Sequence, residues 1–110
     1  MNKVLDMIPA LVTRELAAAN DEFPPFHSLH EGWAVLKEEI EETQEALDMV
    51  EDYFDKMWAL TRDNDVAVVQ TLAGRIRAKA TLAAAEAIQV AAMAQKMLDY
   101  INSEEAKTHD

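Results

Sequence analysis

Four glutamates and one glutamine, placed in two short stretches, are the side chains of this sequence best suited to chemistry. Glu38, Glu39 and Glu42 lie within five residues, and Glu86 is followed three residues later by Gln89. On a helix, residues three or four apart share a face, so Glu39 and Glu42 point the same way, as do Glu38 and Glu42. Oxygen ligands with no nearby His or Cys favour Mg²⁺, Mn²⁺ or Ca²⁺ over zinc.

The two stretches have a structural alternative, because an acidic run on a helix is commonly a solvated face. Glu86 is the only charged residue between Lys79 and Lys96, which fits either a surface position or a partner for the first cluster. The spacing of Glu42 and Glu86 along the sequence favours the second interpretation, in which Glu86 is a partner of the first cluster. Glu42 precedes Asn64 and Glu86 follows it by the same 22 residues (64 − 42 and 86 − 64), so an antiparallel hairpin turning at Asn64 places the two side by side.

Long helices must hold these side chains in place, and the predicted fold class is all-α. The 110 residues contain 2 Gly and 3 Pro, good helix formers fill the long stretches, and strand-type patterns are absent. We expect a first helix over residues 2–20, kinked or broken at Pro9, a second between Ser28 and Asp63, and a third from Val66 to Ile101. Gly74, inside the third, is consistent with a bend or a close helix crossing.

The predicted organisation is one helical domain over residues 1–102 and a polar, frayed tail over 103–110. It is a bundle built on the long antiparallel hairpin and an N-terminal helix. One short helix cannot cover the apolar stripes of two long ones, so we expect Trp58, Val68 and Val69 to be exposed. Self-association as a homodimer or homotetramer would complete the bundle.

Composition narrows the classes of partner. The net charge of −11 disfavours duplex nucleic acid and suits divalent cations, which in turn recruit phosphorylated molecules, although such a charge also serves solubility alone. The absence of cysteine excludes disulfides and thiolate metal sites. No apolar run near the start is long enough for a signal peptide or a membrane span, so we expect no membrane partner and a cytoplasmic location.

Two segments together resemble a known family. Residues 30–42 (HEGWAVLKEEIEE) and 86–94 (EAIQVAAMA) are similar to the MazG-like all-α nucleoside triphosphate pyrophosphohydrolases, above all to their small phage and prophage versions. The family pattern is Glu-Glu-x-x-Glu on one helix and Glu-x-x-Asp on the next. Glu38, Glu39 and Glu42 match the first half and Glu86 opens the second, and the resemblance covers roughly residues 27–98.

The resemblance implies a Mg²⁺ ion, with Mn²⁺ as a possible substitute, held by Glu39, Glu42 and Glu86 with Gln89. It implies Glu38 as the catalytic carboxylate that orients a water molecule. The implied reaction converts a nucleoside triphosphate to the monophosphate and pyrophosphate. Four basic residues are weaker candidates for holding phosphates: Lys37, Arg75, Arg77 and Lys79.

Two departures from the family pattern keep a second hypothesis open. Gln89 stands where the family has Asp, which removes one negative charge from the implied metal site. The 43 residues between Glu42 and Glu86 (86 − 42 − 1) are also more than the family usually has. The alternative is a catalytically degenerate phage or prophage helical protein that acts by self-association or partner binding. For His30 we expect a local hydrogen bond, and for Trp33 a core or interface position or a stack on a base.

Overall fold

The computed structural model describes residues 2–108 and consists of three α-helices joined by two short connections. Their bounds are α1 Lys3–Glu22, α2 Leu29–Arg62 and α3 Val66–Thr108. The all-α fold class and the antiparallel α2–α3 hairpin are therefore confirmed. None of the helices within residues 2–108 combines the length and the apolarity needed to cross a membrane.

Helix α1 begins at the N-cap Asn2, whose side-chain oxygen accepts a hydrogen bond from the Leu5 amide at 3.0 Å. It continues through Pro9, so of the two expected outcomes, a kink or a break into two helices, the break is wrong. One proline removes a single backbone hydrogen bond, and in this helix the loss does not end the regular structure. No residue of α1 is fully buried.

The sequence predicts a capping box from Ser28 to Glu31 at the start of α2, and a turn over residues 63–65 that caps α3. Both helices begin at these caps. The Glu31 amide donates to Ser28 Oγ at 3.1 Å, which is half of the predicted capping box. The other half differs, because the Glu31 carboxylate accepts from the backbone amide of His27. At the hairpin turn, Asn64 adopts a left-handed φ of 55°, which asparagine tolerates better than most residues, and Asp65 caps α3 by accepting from the Val68 amide.

Helix α3 extends past Ile101, where the sequence pattern placed its end, and is helical through Thr108. The last two residues of the predicted polar tail, 109–110, lie outside the described residues. Lys107 forms an ion pair with Glu104 at 3.2 Å, one turn earlier. Such a pair supports the last turn of an exposed helix.

The chain divides into two compact units, and the first comprises the described residues up to Ile40 together with those from Ala87 onward. Its core contains Phe26 and Ala92. Helices approach each other closely at Gly32, where an added Cβ would lie 2.5 Å from Met97 Sδ and 3.2 Å from a ring carbon of Phe26. The close crossing that we associated with Gly74 therefore occurs at Gly32, since nothing lies within 4 Å of a Cβ built on Gly74.

The second unit, Glu41–Glu86, is a two-helix segment with a thin core. Ala46, Leu72 and Ala83 are its buried apolar residues. The helical spacing of apolar residues predicts that the buried side of α2 includes Ile40 and Leu47, but both are exposed. The contact with α3 instead uses a stripe of smaller and polar residues one helical step away, which includes Thr43 and Ala46.

Candidate functional site

Glu42 and Glu86 face each other within the second unit. Their carboxyl groups share a hydrogen bond that raises the pKa of Glu42, and partial desolvation and the negative charge of Glu86 raise it further. The meeting of these two side chains confirms the register predicted from their equal distance to Asn64. Two carboxylates in contact repel each other unless a proton or a cation lies between them.

Glu39 joins this pair because it lies one turn before Glu42 on the same continuous helix. One carboxylate oxygen from each of Glu39, Glu42 and Glu86 lies within 4.8 Å of the others, and we call these three residues the glutamate triad. Around one octahedral Mg²⁺, with bonds to oxygen of about 2.1 Å, neighbouring ligands are about 3 Å apart and opposite ligands about 4.2 Å. Small side-chain rotations would therefore let the three oxygens converge on one ion.

Burial adds a second indication that the triad suits a cation. Glu39 and Glu86 are half-buried, and the Oε2 atom of each is shielded from solvent. Within residues 2–108, no group donates a hydrogen bond to Glu86 Oε2. A shielded carboxylate oxygen without a donor is unfavourable, and a divalent ion coordinated by oxygen would compensate it. The donor set is thus suited to Mg²⁺ or Mn²⁺.

The other two predicted site residues line a cleft in the first unit. The cleft has a volume of about 530 Å³, and its wall includes Glu38, Glu39 and Gln89. Glu38 is exposed, so its carboxylate can reach solvent or a ligand in the cleft. Gln89 lies one turn after Glu86 on α3 and is half-buried. Glu39 is therefore a member of both the cleft wall and the triad.

The candidate phosphate-binding residues have varied placements. The guanidinium of Arg75 lies over the Tyr53 ring, 5.8 Å from its centroid, and is engaged in a cation–π contact. Arg77 is exposed and Lys79 is half-buried in the second unit, away from the cleft wall. Lys37 is exposed but takes part in an interaction within the described chain.

The predicted local histidine contact belongs to His27. Its Nδ1 lies 3.0 Å from Glu31 Oε2. This hydrogen bond is the main reason that the pKa of Glu31 is lowered, and the positive charge of Lys96 contributes. Trp33 and Trp58 are not core residues, since 62% and 64% of their surfaces are exposed.

Lys96 is the residue that the sequence analysis missed. It is only 5% exposed, lies on the wall of the cleft, and its ammonium is 5.0 Å from the centroid of the Phe26 ring. The sequence carried a signal for this burial. Lys96 follows Gln89 by two turns and Met93 by one, so it shares the inner face of α3 with them.

Comparisons with protein-family models, with curated proteins and with solved structures found no match to this chain.

Proposed function

We propose that this protein is a Mg²⁺-dependent hydrolase that splits nucleoside triphosphates into monophosphate and pyrophosphate. The observation that supports this most is the direct contact of Glu42 and Glu86, with Glu39 one turn away. With both carboxylates ionised and no cation bound, this arrangement costs free energy, because like charges approach closely and one oxygen lacks a donor. A fold that brings these three groups together is well suited to binding a divalent ion.

In this proposal, Glu39, Glu42 and Glu86 hold the ion, and Gln89 offers an amide oxygen beside it. When bound, the ion neutralises charge on the phosphate oxygens and lowers the pKa of a water molecule. Gln89 contributes no charge where the resembled family has Asp. The ion then sits among three carboxylates, and we expect weaker metal affinity than four would give.

Glu38 supplies the remaining chemistry. Its exposed carboxylate, on the cleft wall next to Glu39, is placed to accept a proton from a water molecule. The water oxygen then bonds to the α-phosphorus while the bond from this phosphorus to the bridging oxygen breaks. Pyrophosphate leaves with the electrons of the broken bond.

The test measures pyrophosphate release from a panel of nucleoside triphosphates with Mg²⁺. We expect release by the wild-type protein and a loss of about 100-fold or more in Glu42→Gln, because this change removes a charge that holds the ion acting on the reacting phosphates. Glu51→Gln is the matched control. Glu51 is an exposed glutamate on the same helix and the same unit, outside the triad.

Two results would contradict the proposal. One is the absence of pyrophosphate release for every nucleotide tested with Mg²⁺ or Mn²⁺. The other is release that Glu42→Gln and Glu51→Gln leave equally unchanged, since the activity would then not depend on the triad.

We also propose that the protein self-associates as a homodimer. Leu47, Phe54 and Trp58 form an exposed apolar stripe along α2 of the second unit, with spacings of seven and four residues. On α3, Ala73, Ala80 and Ala84 are also exposed. Helix register places both sets on the side of the hairpin opposite Glu42 and Glu86.

The second copy is favoured as occupant because the two stripes complement each other. Large side chains on α2 and small ones on α3 allow a twofold-related copy to pack its α2 stripe over the alanine stripe of the other. A homotetramer would require a further surface. Self-association is also the basis of the alternative function, a helical protein without catalysis, which the pyrophosphate assay distinguishes from the hydrolase.

A further inference from the structure

The side chain of Lys96 is largely buried, and the metal site does not explain why a lysine lies there. Lys96 as a residue is 5% exposed, and none of the described carboxylates forms an ion pair with it. Its contact is the face of the Phe26 ring. A cation–π contact recovers part of the lost hydration, but the ammonium still has three N–H donors to satisfy. Lysine is rarely buried without a partner.

The cleft beside Lys96 has the walls of a binding site for a small flat molecule. Its apolar part includes Phe26, Val35, Ala92 and Met93, which suit a ring inserted between them. Its volume of about 530 Å³ lies within the usual range for small-molecule sites. Lys96 is the only basic residue on this wall, so it marks one edge of the bound molecule.

The negative charges that line the cleft disfavour binding of an anion. Glu15, Glu22, Glu31, Glu38 and Glu39 all line it, so a polyanion facing Lys96 would also meet five carboxylates. A neutral ring with both an acceptor and a donor on one edge meets no such repulsion. The acceptor satisfies Lys96, and the donor satisfies a carboxylate.

Glu31 is the carboxylate in position to share that edge. Its charge is close enough to Lys96 for the ammonium to lower its pKa, but the two side chains do not form an ion pair. Glu31 Oε2 already accepts from the amide and Nδ1 of His27. A carboxylate accepts about four hydrogen bonds in total, so Glu31 keeps capacity for a ligand N–H.

We infer that the cleft binds a planar heteroaromatic ring that carries a keto oxygen beside a ring N–H, with Lys96 donating to the oxygen and Glu31 accepting from the N–H. Among nucleobases, this edge is present in uracil, thymine, guanine and hypoxanthine and is absent from adenine. If the protein is the proposed hydrolase, this edge selects which bases its nucleotide substrates carry. Only the identity of the molecule that carries the ring rests on the proposed function.

The experiment compares inosine with adenosine by calorimetric or NMR titration of the whole protein, with divalent ions removed by chelation. The two nucleosides have nearly the same shape and differ in the edge at issue. We expect inosine to bind about 10-fold or more tightly, because one well-placed pair of hydrogen bonds is worth about 1–3 kcal/mol of discrimination between bases. Uridine against cytidine is a second matched pair with the same expected preference.

Variants of Lys96 test whether this residue causes the preference for inosine over adenosine. In Lys96→Met we expect a stable fold, since an apolar side chain of similar length replaces a buried charge, and equal binding of inosine and adenosine. Lys96→Arg should retain part of the preference because it keeps the donor. Lys3→Met, which changes an exposed lysine of the same unit, should leave the preference intact.

Equal affinity for inosine and adenosine in the wild-type protein, or no binding of either, overturns the inference, as does a preference that survives Lys96→Met. The outcome is independent of catalysis because the nucleosides carry no phosphate and no metal is present. If inosine is preferred while pyrophosphate release is absent, the ring site stands and the proposed hydrolase fails. If pyrophosphate is released but inosine is not preferred, the ring site is contradicted and the proposed hydrolase is not.

Discussion

The contact between Glu42 and Glu86 should make the stability of the fold depend on pH. The pKa of Glu42 is raised, because the hydrogen bond with Glu86, desolvation and the negative charge of Glu86 all favour its protonated form. A group whose pKa is raised by folding stabilises the fold when it is protonated. This stability is complete below the ordinary carboxyl pKa and is lost as pH rises through the raised value.

We therefore predict that, without metal, the free energy of unfolding of the wild-type protein falls over this pH window relative to Glu42→Gln. Thermal unfolding of both proteins, from below the ordinary carboxyl pKa to neutral pH, measures the difference. Adding Mg²⁺ at neutral pH should raise the melting temperature of the wild type and leave Glu42→Gln nearly unchanged, since bound ligand stabilises the folded state alone. Identical pH profiles for the two proteins would contradict this account of the pair.

Glu39 shows what the sequence could and could not provide for the candidate site. Its place next to Ile40 and three residues from Leu36 predicts that Glu39 lies near the buried side of α2. Glu39 is half-buried, but Ile40 is 52% exposed and does not mark the buried side. Spacing along one helix showed which glutamates share a face, and the turn at Asn64 gave their partner. Only packing could show which face of α2 meets α3.

At the scale of the helices, the two glycines allow opposite predictions for the same substitution. Gly74 lies inside α3 with a negative φ, and a Cβ there would contact nothing within 4 Å. Gly74→Ala should therefore stabilise the fold by about 1 kcal/mol, the difference in helix propensity. At Gly32, a Cβ would meet Met97 and Phe26 at close range, so Gly32→Ala should destabilise it by about 1 kcal/mol after Met97 shifts.

Chemical denaturation of the two variants checks this pair, and each serves as the control for the other. If Gly32→Ala stabilises the fold as much as Gly74→Ala does, helix propensity dominates at both positions. The close approach of α2 and α3 at Gly32 would then not be a packing constraint.

The helices themselves were largely predictable, because caps and turns are local. Ser28 and Asp65 begin α2 and α3 where their side chains indicated, and Asn64 forms the turn. Burial was less predictable because an apolar stripe shows where a helix prefers contact without showing what supplies it. Leu47 and Phe54 follow the helical period but are exposed in the single chain. Lys96 shows the opposite case, because it is a charged residue that the packing of its neighbours buries.

The whole molecule has a small core relative to its apolar surface. Within residues 2–108 the buried apolar residues are Phe26, Ala46, Leu72, Ala83 and Ala92, three of them alanine, while Phe54 and Trp58 are each 64% exposed. Buried apolar area is the dominant stabilising term, so covering these side chains would strengthen the fold. This balance is the reason that we propose a homodimer.

We predict that sedimentation analysis at micromolar concentration finds a dimer, and that Phe54→Glu shifts it to monomer by placing a charge in the interface. Val68→Glu is a suitable control, because Val68 is exposed in the same unit but lies on the side of the hairpin that holds Glu86. A wild-type monomer at this concentration, or dissociation by Val68→Glu alone, would contradict the proposed interface.

The most direct test of the central claim, that the glutamate triad binds a divalent cation, is a crystal structure of the protein soaked in Mn²⁺, with the ion located by its anomalous scattering. Our account predicts one strong peak within bonding distance of carboxylate oxygens from Glu39, Glu42 and Glu86, which Mg²⁺ competes away. The absence of a peak there, with the three carboxylates turned toward solvent, would contradict it.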